Sequence, residues 1–259
     1  MSHLGENALA LHGVQVGYAA NRPLLGPLDV ALPQGELVAL LGRNGTGKST
    51  LLRTLAGDIA PLAGAVLVGS ARLGNLSGRK RAQWLAFAPS HLRADGSLTV
   101  RQLVMLGRYP HVGWLRSGHD TDREAVVRAM RMVGVHTLAD RRLASLSDGE
   151  RQRASIALCL AQGAPVLLLD EPSAYLDVSG RAELVHLLRE LAHEQGRAVL
   201  FSTHDLGTAL EYADRLWVIH EGTMQDIRSQ KAIGSGLIDA VFSTERVRFD
   251  ASRHIFTAR

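Results

Sequence analysis

Two periods of apolar residues run through this chain. Short apolar pieces separated by turns come first: LHGVQVGY (11–18), PLDVAL (27–32) and GELVALLG (35–42). They read as strands, with Pro33-Gln34-Gly35 as a turn. GRNGTGKST (42–50) leads into a helical run, LLRTLAG (51–57), closed by Gly57. GAVLVG (64–69) and WLAFAP (84–89) return to strand. The middle of the chain is helical. Thr99 stands where a cap for VRQLVMLGR (100–108) belongs. Thr121-Asp122-Arg123-Glu124 has the form of a capping box, ahead of apolar Ala125/Val126, Ala129/Met130 and Val133.

A further helix is predicted from about Gly149 to Gly163. VLLLD (166–170) is then a continuous apolar run, as expected of a parallel strand buried on both faces. Helix 180–195, strand AVLFST (198–203), helix 205–213 and strand RLWVIH (215–220) follow. The alternation predicts an α/β fold with a mostly parallel central sheet. The helical block, roughly 90–160, interrupts it as an inserted subdomain. From 223 on the pattern weakens, which predicts a small C-terminal appendage.

Composition narrows the class. The chain has 259 residues, 46% hydrophobic and 21% charged, the profile of a globular protein. No apolar run approaches the roughly 18 residues of a membrane span. MSHLGENALALHG lacks a basic segment followed by an apolar core, so no secretion signal is expected and the chain reads as cytoplasmic. The single cysteine, Cys159, excludes an internal disulfide and lies on an apolar helix face. The net charge of +4 mildly favours anionic partners. The basic residues are scattered, so nucleic acid is not an expected partner.

Gly42-Arg43-Asn44-Gly45-Thr46-Gly47-Lys48-Ser49 satisfies G-x-x-x-x-G-K-[ST], with an apolar strand before it and a helix after it. Glycines let backbone N–H groups turn inward around phosphate oxygens, and the helix N-terminus adds its positive end. Lys48 would neutralise β/γ-phosphates and Ser49 would ligate Mg²⁺. The alternative is a glycine-rich surface turn. Asp170 ends a buried strand, where ligands bind in an open α/β sheet, and its carboxylate can hold a Mg²⁺ water shell. Glu171 points to the other side of the strand end and could orient or deprotonate an attacking water. His204 ends AVLFST and could reach a γ-phosphate. Taken alone, the acids could face solvent and the histidine could cap a turn.

In this order the pieces resemble the ATP-binding subunit of ABC transporters, over about residues 8–245. Tyr18 falls at the adenine-stacking aromatic, GRNGTGKST at the first phosphate motif and LSDGE (146–150) at the signature. VLLLDEP holds the second acidic motif, SAYLD (173–177) the D-loop ending at Asp177, and His204 is the switch histidine. The resemblance implies a P-loop NTPase, RecA-like core with an N-terminal antiparallel β subdomain. It implies one ATPase domain over 1–245, with 246–259 as a tail. It also implies a head-to-tail pair of copies sandwiching two ATP molecules. Each nucleotide would touch Gly42, Arg43, Asn44, Gly45, Thr46, Gly47, Lys48, Ser49 and Thr50 of one copy and Ser147 and Gly149 of the other. Glu171, His204 and Lys48 would be catalytic, with Mg²⁺ at Ser49 and Asp170. Hydrolysis would move a membrane permease at the inner face of the membrane, served indirectly by a substrate-binding protein.

LTVRQLVMLGRYPHVGWL (98–115) and VFSTE (241–245) are similar to stretches in importers of iron-siderophore complexes, haem and cobalamin. Two positions depart from the family. Ser90 and His91 follow Pro89 where a metal-touching Gln is usual, so Ser90 is the candidate there, with a shorter reach. Asp148 replaces a Gly. Two like charges about 6 Å apart cost roughly 3 kcal/mol at an effective dielectric of about 20, enough to hurt phosphate binding. As a helix cap, Asp148 would instead fold back onto the helix and leave Ser147 and Gly149 as phosphate contacts. The competing readings are a non-transport ABC ATPase of DNA repair or translation and a small-molecule P-loop kinase. The first usually carries long insertions or two ATPase halves; the second needs neither the signature nor the switch histidine.

Overall fold

The computed structural model describes residues 7–19, 21–92, 94–111, 120–250, 253 and 255–258. The capping-box prediction at Thr121 borders one gap, and part of the 98–115 stretch lies in it, outside the described residues. In chain order the elements begin with β1 (Asn7–Val16), β2 (Leu25–Pro33), β3 (Leu37–Gly42), α1 (Lys48–Ala56), β4 (Ala63–Val68) and β5 (Ala71–Arg72). Next come α2 (Gly78–Trp84), β6 (Leu85–Ala88), α3 (Val100–Leu106), α4 (Asp120–Met132) and α5 (Asp148–Gln162). β7 (Val166–Leu169), α6 (Val178–His193), β8 (Ala198–Ser202), α7 (Leu206–Tyr212) and β9 (Arg215–His220) complete the alternating part. The chain closes with β10 (Thr223–Arg228), α8 (Ser229–Ala232), α9 (Leu237–Phe242), β11 (Val247–Asp250) and β12 (Ile255–Ala258).

A six-stranded sheet runs in the order β10-β9-β3-β8-β7-β6, and a four-stranded antiparallel sheet in the order β2-β1-β4-β5. All pairings in the larger sheet are parallel except β10 on β9. Side chains alternate across a strand, so the continuous apolar runs supply two cores at once. Leu37, Ala39 and Leu41, with Leu167, Leu169, Val199 and Phe201, face the core shared with α3 to α7. Val38, Leu40, Val166, Leu168, Ala198 and Leu200 face the core shared with α1 and the antiparallel sheet. Cys159 is buried on α5, and the loss of water around it pushes its thiol up to about 12. It is inert packing at neutral pH.

Three expectations need correction. Thr121 lies inside α4, which already includes Asp120. Thr121 therefore cannot be the N-cap residue that a Thr121–Glu124 box requires; the first-turn acids Asp120 and Asp122 complement the helix dipole, and Asp122 also accepts from Arg108 Nε at 2.8 Å. Residues 223–228 are not appendage but an edge strand of the central sheet. Arg215 forks onto Asp226 (2.8 and 2.7 Å) and ties β9 to β10. The third correction concerns Asp148. The true cap of α5 is Ser147: its Oγ accepts from Glu150 N while Ser147 N donates to the Glu150 carboxylate, a full capping box.

Candidate active site

β3, β8 and β7 are neighbours, and all three end on the same edge of the sheet. The loop after β3 holds Arg43 to Gly47; the turn after β7 holds Asp170 and Glu171; β8 ends at Ser202, followed by Thr203 and His204. Parallel order therefore brings the three motifs to one place, the expected crevice of an open α/β sheet.

Gly45 and Gly47 have φ of 78° and 101°, a region L side chains rarely adopt, and this lets the chain wrap back over the start of α1. No side chain caps α1, so its first N–H groups stay available to an anion. Lys48, the first helical residue, is buried and donates from Nζ to the carbonyls of Gly42 (2.8 Å) and Arg43 (3.2 Å). Burial lowers its pKa, and the charges of Glu171 and Asp170 pull it back up. Thr46 Oγ1 donates to Arg43 O and braces the loop, while Ser49 is exposed at the mouth. Tyr18 is 70% exposed, with its hydroxyl 3.2 Å from Thr50 Oγ1, so its ring face lies open beside α1.

Asp170 is buried and accepts from Ser202 Oγ at 2.7 Å through Oδ1. Glu171 has φ 48°, a left-handed turn that swings its side chain away from the strand line. Its Oε1 lies 2.6 Å from His204 Nε2. An acid beside an imidazole can orient a water and share its proton. Among the described residues no three His, Cys, Asp or Glu side chains cluster as a metal cage. Asp170 and Ser49 offer only hard oxygen donors, which suits Mg²⁺, an ion that keeps several waters and takes phosphate oxygens.

Ser147 and Gly149 sit elsewhere, at the start of α5. Among the described residues no hydrogen bond joins them to residues 42–50. Gly149 is required by close approach: a Cβ there would lie 2.8 Å from Tyr175 O. Asp148 is turned sideways onto Arg151 (2.7 Å). Asp177 caps α6 through Oδ1 to Gly180 N. Ser90 lines a cleft of about 240 Å³ with His91, Asp148, Gln152 and Tyr175, among others. His91 meets the Tyr175 hydroxyl at 3.2 Å. Sequence reasoning missed two members of this constellation, Ser202 and Tyr175. The signal for Ser202 was a hydroxyl in an apolar strand.

The profile of the ABC transporter family matches residues 25–174. The chain belongs to the ABC transporter family. It is 40% identical to the achromobactin transport ATP-binding protein of Dickeya dadantii over 83% of this chain and 80% of that one. It is 42% identical to the cobalamin import ATP-binding protein of Halobacterium salinarum over 87% of this chain and 56% of that one. A solved inward-facing ABC transporter chain of metal-chelate type is 28% identical, with TM-score 0.78, covering 91% of this chain and 89% of that chain. This ABC cassette is thus an ATPase that binds ATP.

Within the cassette Asp148 makes an exposed ion pair, worth little by itself. Asp148→Gly is expected to leave ATP turnover within a few-fold of wild type, because Ser147 still caps α5. A phosphate-release assay checks this, and a large gain would mean that the carboxylate is inhibitory.

Proposed function

We propose that this ATPase powers import of a metal chelate, of the ferric siderophore, haem or cobalamin class, through a membrane permease. The observation that carries the reading is the convergence of the Gly42–Thr50 loop, buried Asp170 and the Glu171–His204 pair at one sheet edge. It occurs in a chain similar over most of its length to achromobactin-transport and cobalamin-import ATP-binding proteins. No described helix is long and apolar enough to cross a membrane, which agrees with a peripheral subunit at the inner face.

Tyr18 stacks the adenine. The uncapped start of α1, the loop from Gly42 to Thr50 and the Lys48 ammonium cradle the phosphates. Lys48 exchanges its two carbonyl partners for phosphate oxygens. Glu171 orients the attacking water and takes its proton, and His204 holds both Glu171 and the γ-phosphate. Ser49 and Asp170, with Ser90, would hold Mg²⁺, which would supply charge neutralisation on the phosphates. Ser147 and Gly149 serve the nucleotide of a second copy, and Asp177 faces that copy. A substrate-binding protein delivers the chelate to the permease.

A strain lacking this chain should lose uptake of one chelate class, measured with radiolabelled ferric siderophore, haem and cobalamin in parallel. Normal uptake of all three would overturn the cargo assignment.

A further inference from the structure

We propose that Ser202 is a positioning residue that sets both carboxylates of the hydrolytic centre through a single hydroxyl. This rests on the reading of Asp170 and Glu171 just given. Ser202 is fully buried at the end of β8. Side-chain parity explains why it faces Asp170. Ala198, Leu200 and Ser202 share one face of β8; Val166, Leu168 and Asp170 share the same face of β7 and its continuation. The register pairs Leu169 with Phe201, so the next residues along, Asp170 and Ser202, stand side by side.

The hydroxyl works in both directions. Its oxygen accepts from Glu171 N at 2.8 Å, and its one proton goes to Asp170 Oδ1 at 2.7 Å. Because the amide can only donate, the direction of the second bond is fixed. Two consequences follow. The bond to Oδ1 fixes the rotation of the Asp170 carboxylate, and with it the direction its oxygens offer to a metal-bound water. The peptide N–H of Glu171, at φ 48°, has a partner in the one conformation that aims the side chain at His204. An unpartnered amide there would favour relaxation of the turn. The neighbouring hydroxyl of Thr203 is engaged elsewhere, accepting from Asp205 N at the start of α7.

The test compares Ser202→Ala, Ser202→Thr and Glu171→Gln in the full-length chain. It reads kcat, the half-saturating Mg²⁺ concentration, the Kd of ATP in EDTA and the melting midpoint. Ser202→Ala should lower kcat roughly ten- to hundredfold, the range for losing a hydrogen bond to a charged group. It should raise the Mg²⁺ requirement and leave metal-free ATP binding unchanged. Ser202→Thr, which keeps the hydroxyl, should recover most of the rate. A folded Ser202→Ala with kcat and Mg²⁺ requirement within twofold of wild type overturns the proposal. So does a Thr variant as slow as Ala at an unchanged melting midpoint. Should Ser202→Ala not fold, Ser202→Cys, a near-isostere with a weak donor, must shift both readouts in the same direction or the proposal fails. Glu171→Gln separates the two levels. If it hydrolyses ATP normally, the reading of the site falls, and this inference with it. If Glu171→Gln is slow while Ser202→Ala is normal, only this inference falls.

Discussion

Glu171→Gln is expected to lower ATP turnover roughly a hundred- to a thousandfold, within the span general-base loss produces. The amide keeps the size of the side chain and one oxygen, so the 2.6 Å contact with His204 Nε2 survives as a neutral hydrogen bond. It cannot take a proton. The left-handed turn at φ 48° is as accessible to Gln as to Glu, so folding is little affected. ATP binding should persist, because the loop from Gly42 to Thr50 and Lys48 are untouched. The variant should therefore accumulate as an ATP-bound pair of copies. Phosphate release together with size-exclusion chromatography in ATP and in ADP checks both halves. Full turnover would remove Glu171 from the chemistry.

Lys48→Ala should weaken ATP binding about a hundredfold. Charge-assisted hydrogen bonds are worth about 1.5–3 kcal/mol each, and one lost bond at the upper end already reaches a hundredfold in Kd. The side chain is buried and already held on the carbonyls of Gly42 and Arg43, so little ordering is left for the moment of binding. Lys48→Arg should not restore affinity, because a planar guanidinium cannot occupy the slot of a compact ammonium. Isothermal titration with ATP in EDTA isolates this contribution from metal. Unchanged affinity in the Ala variant would place the phosphates elsewhere.

Much of this site was legible in the chain. GRNGTGKST, VLLLD and AVLFSTH are local signals, each an apolar strand running into polar residues, and parallel order alone brings such ends together. The alternating core was equally readable, because strands buried on both faces write continuous apolar runs. What escaped notice depended on contacts between distant segments. Thr121 looked like a cap, but α4 already includes Asp120. β10 looked like an appendage because an edge strand, buried on one side only, carries few apolar residues. The role of Ser147 as cap of α5 was legible in S-x-x-E, yet the acid beside it, Asp148, drew the assignment instead. Ser202 needed the register of β7 against β8, which no single segment contains.

The close approach at Gly149 has a mechanical consequence. The Tyr175 carbonyl presses on the first turn of α5, two residues before Asp177 locks α6 by its cap and four after Glu171. Backbone against backbone leaves no side chain to yield. Residues 171–177 are therefore held at three points: Glu171 N on the Ser202 hydroxyl, the Tyr175 carbonyl against the start of α5, and Asp177 at the cap of α6. Any side chain larger than hydrogen at position 149 would have to displace this segment or the start of α5.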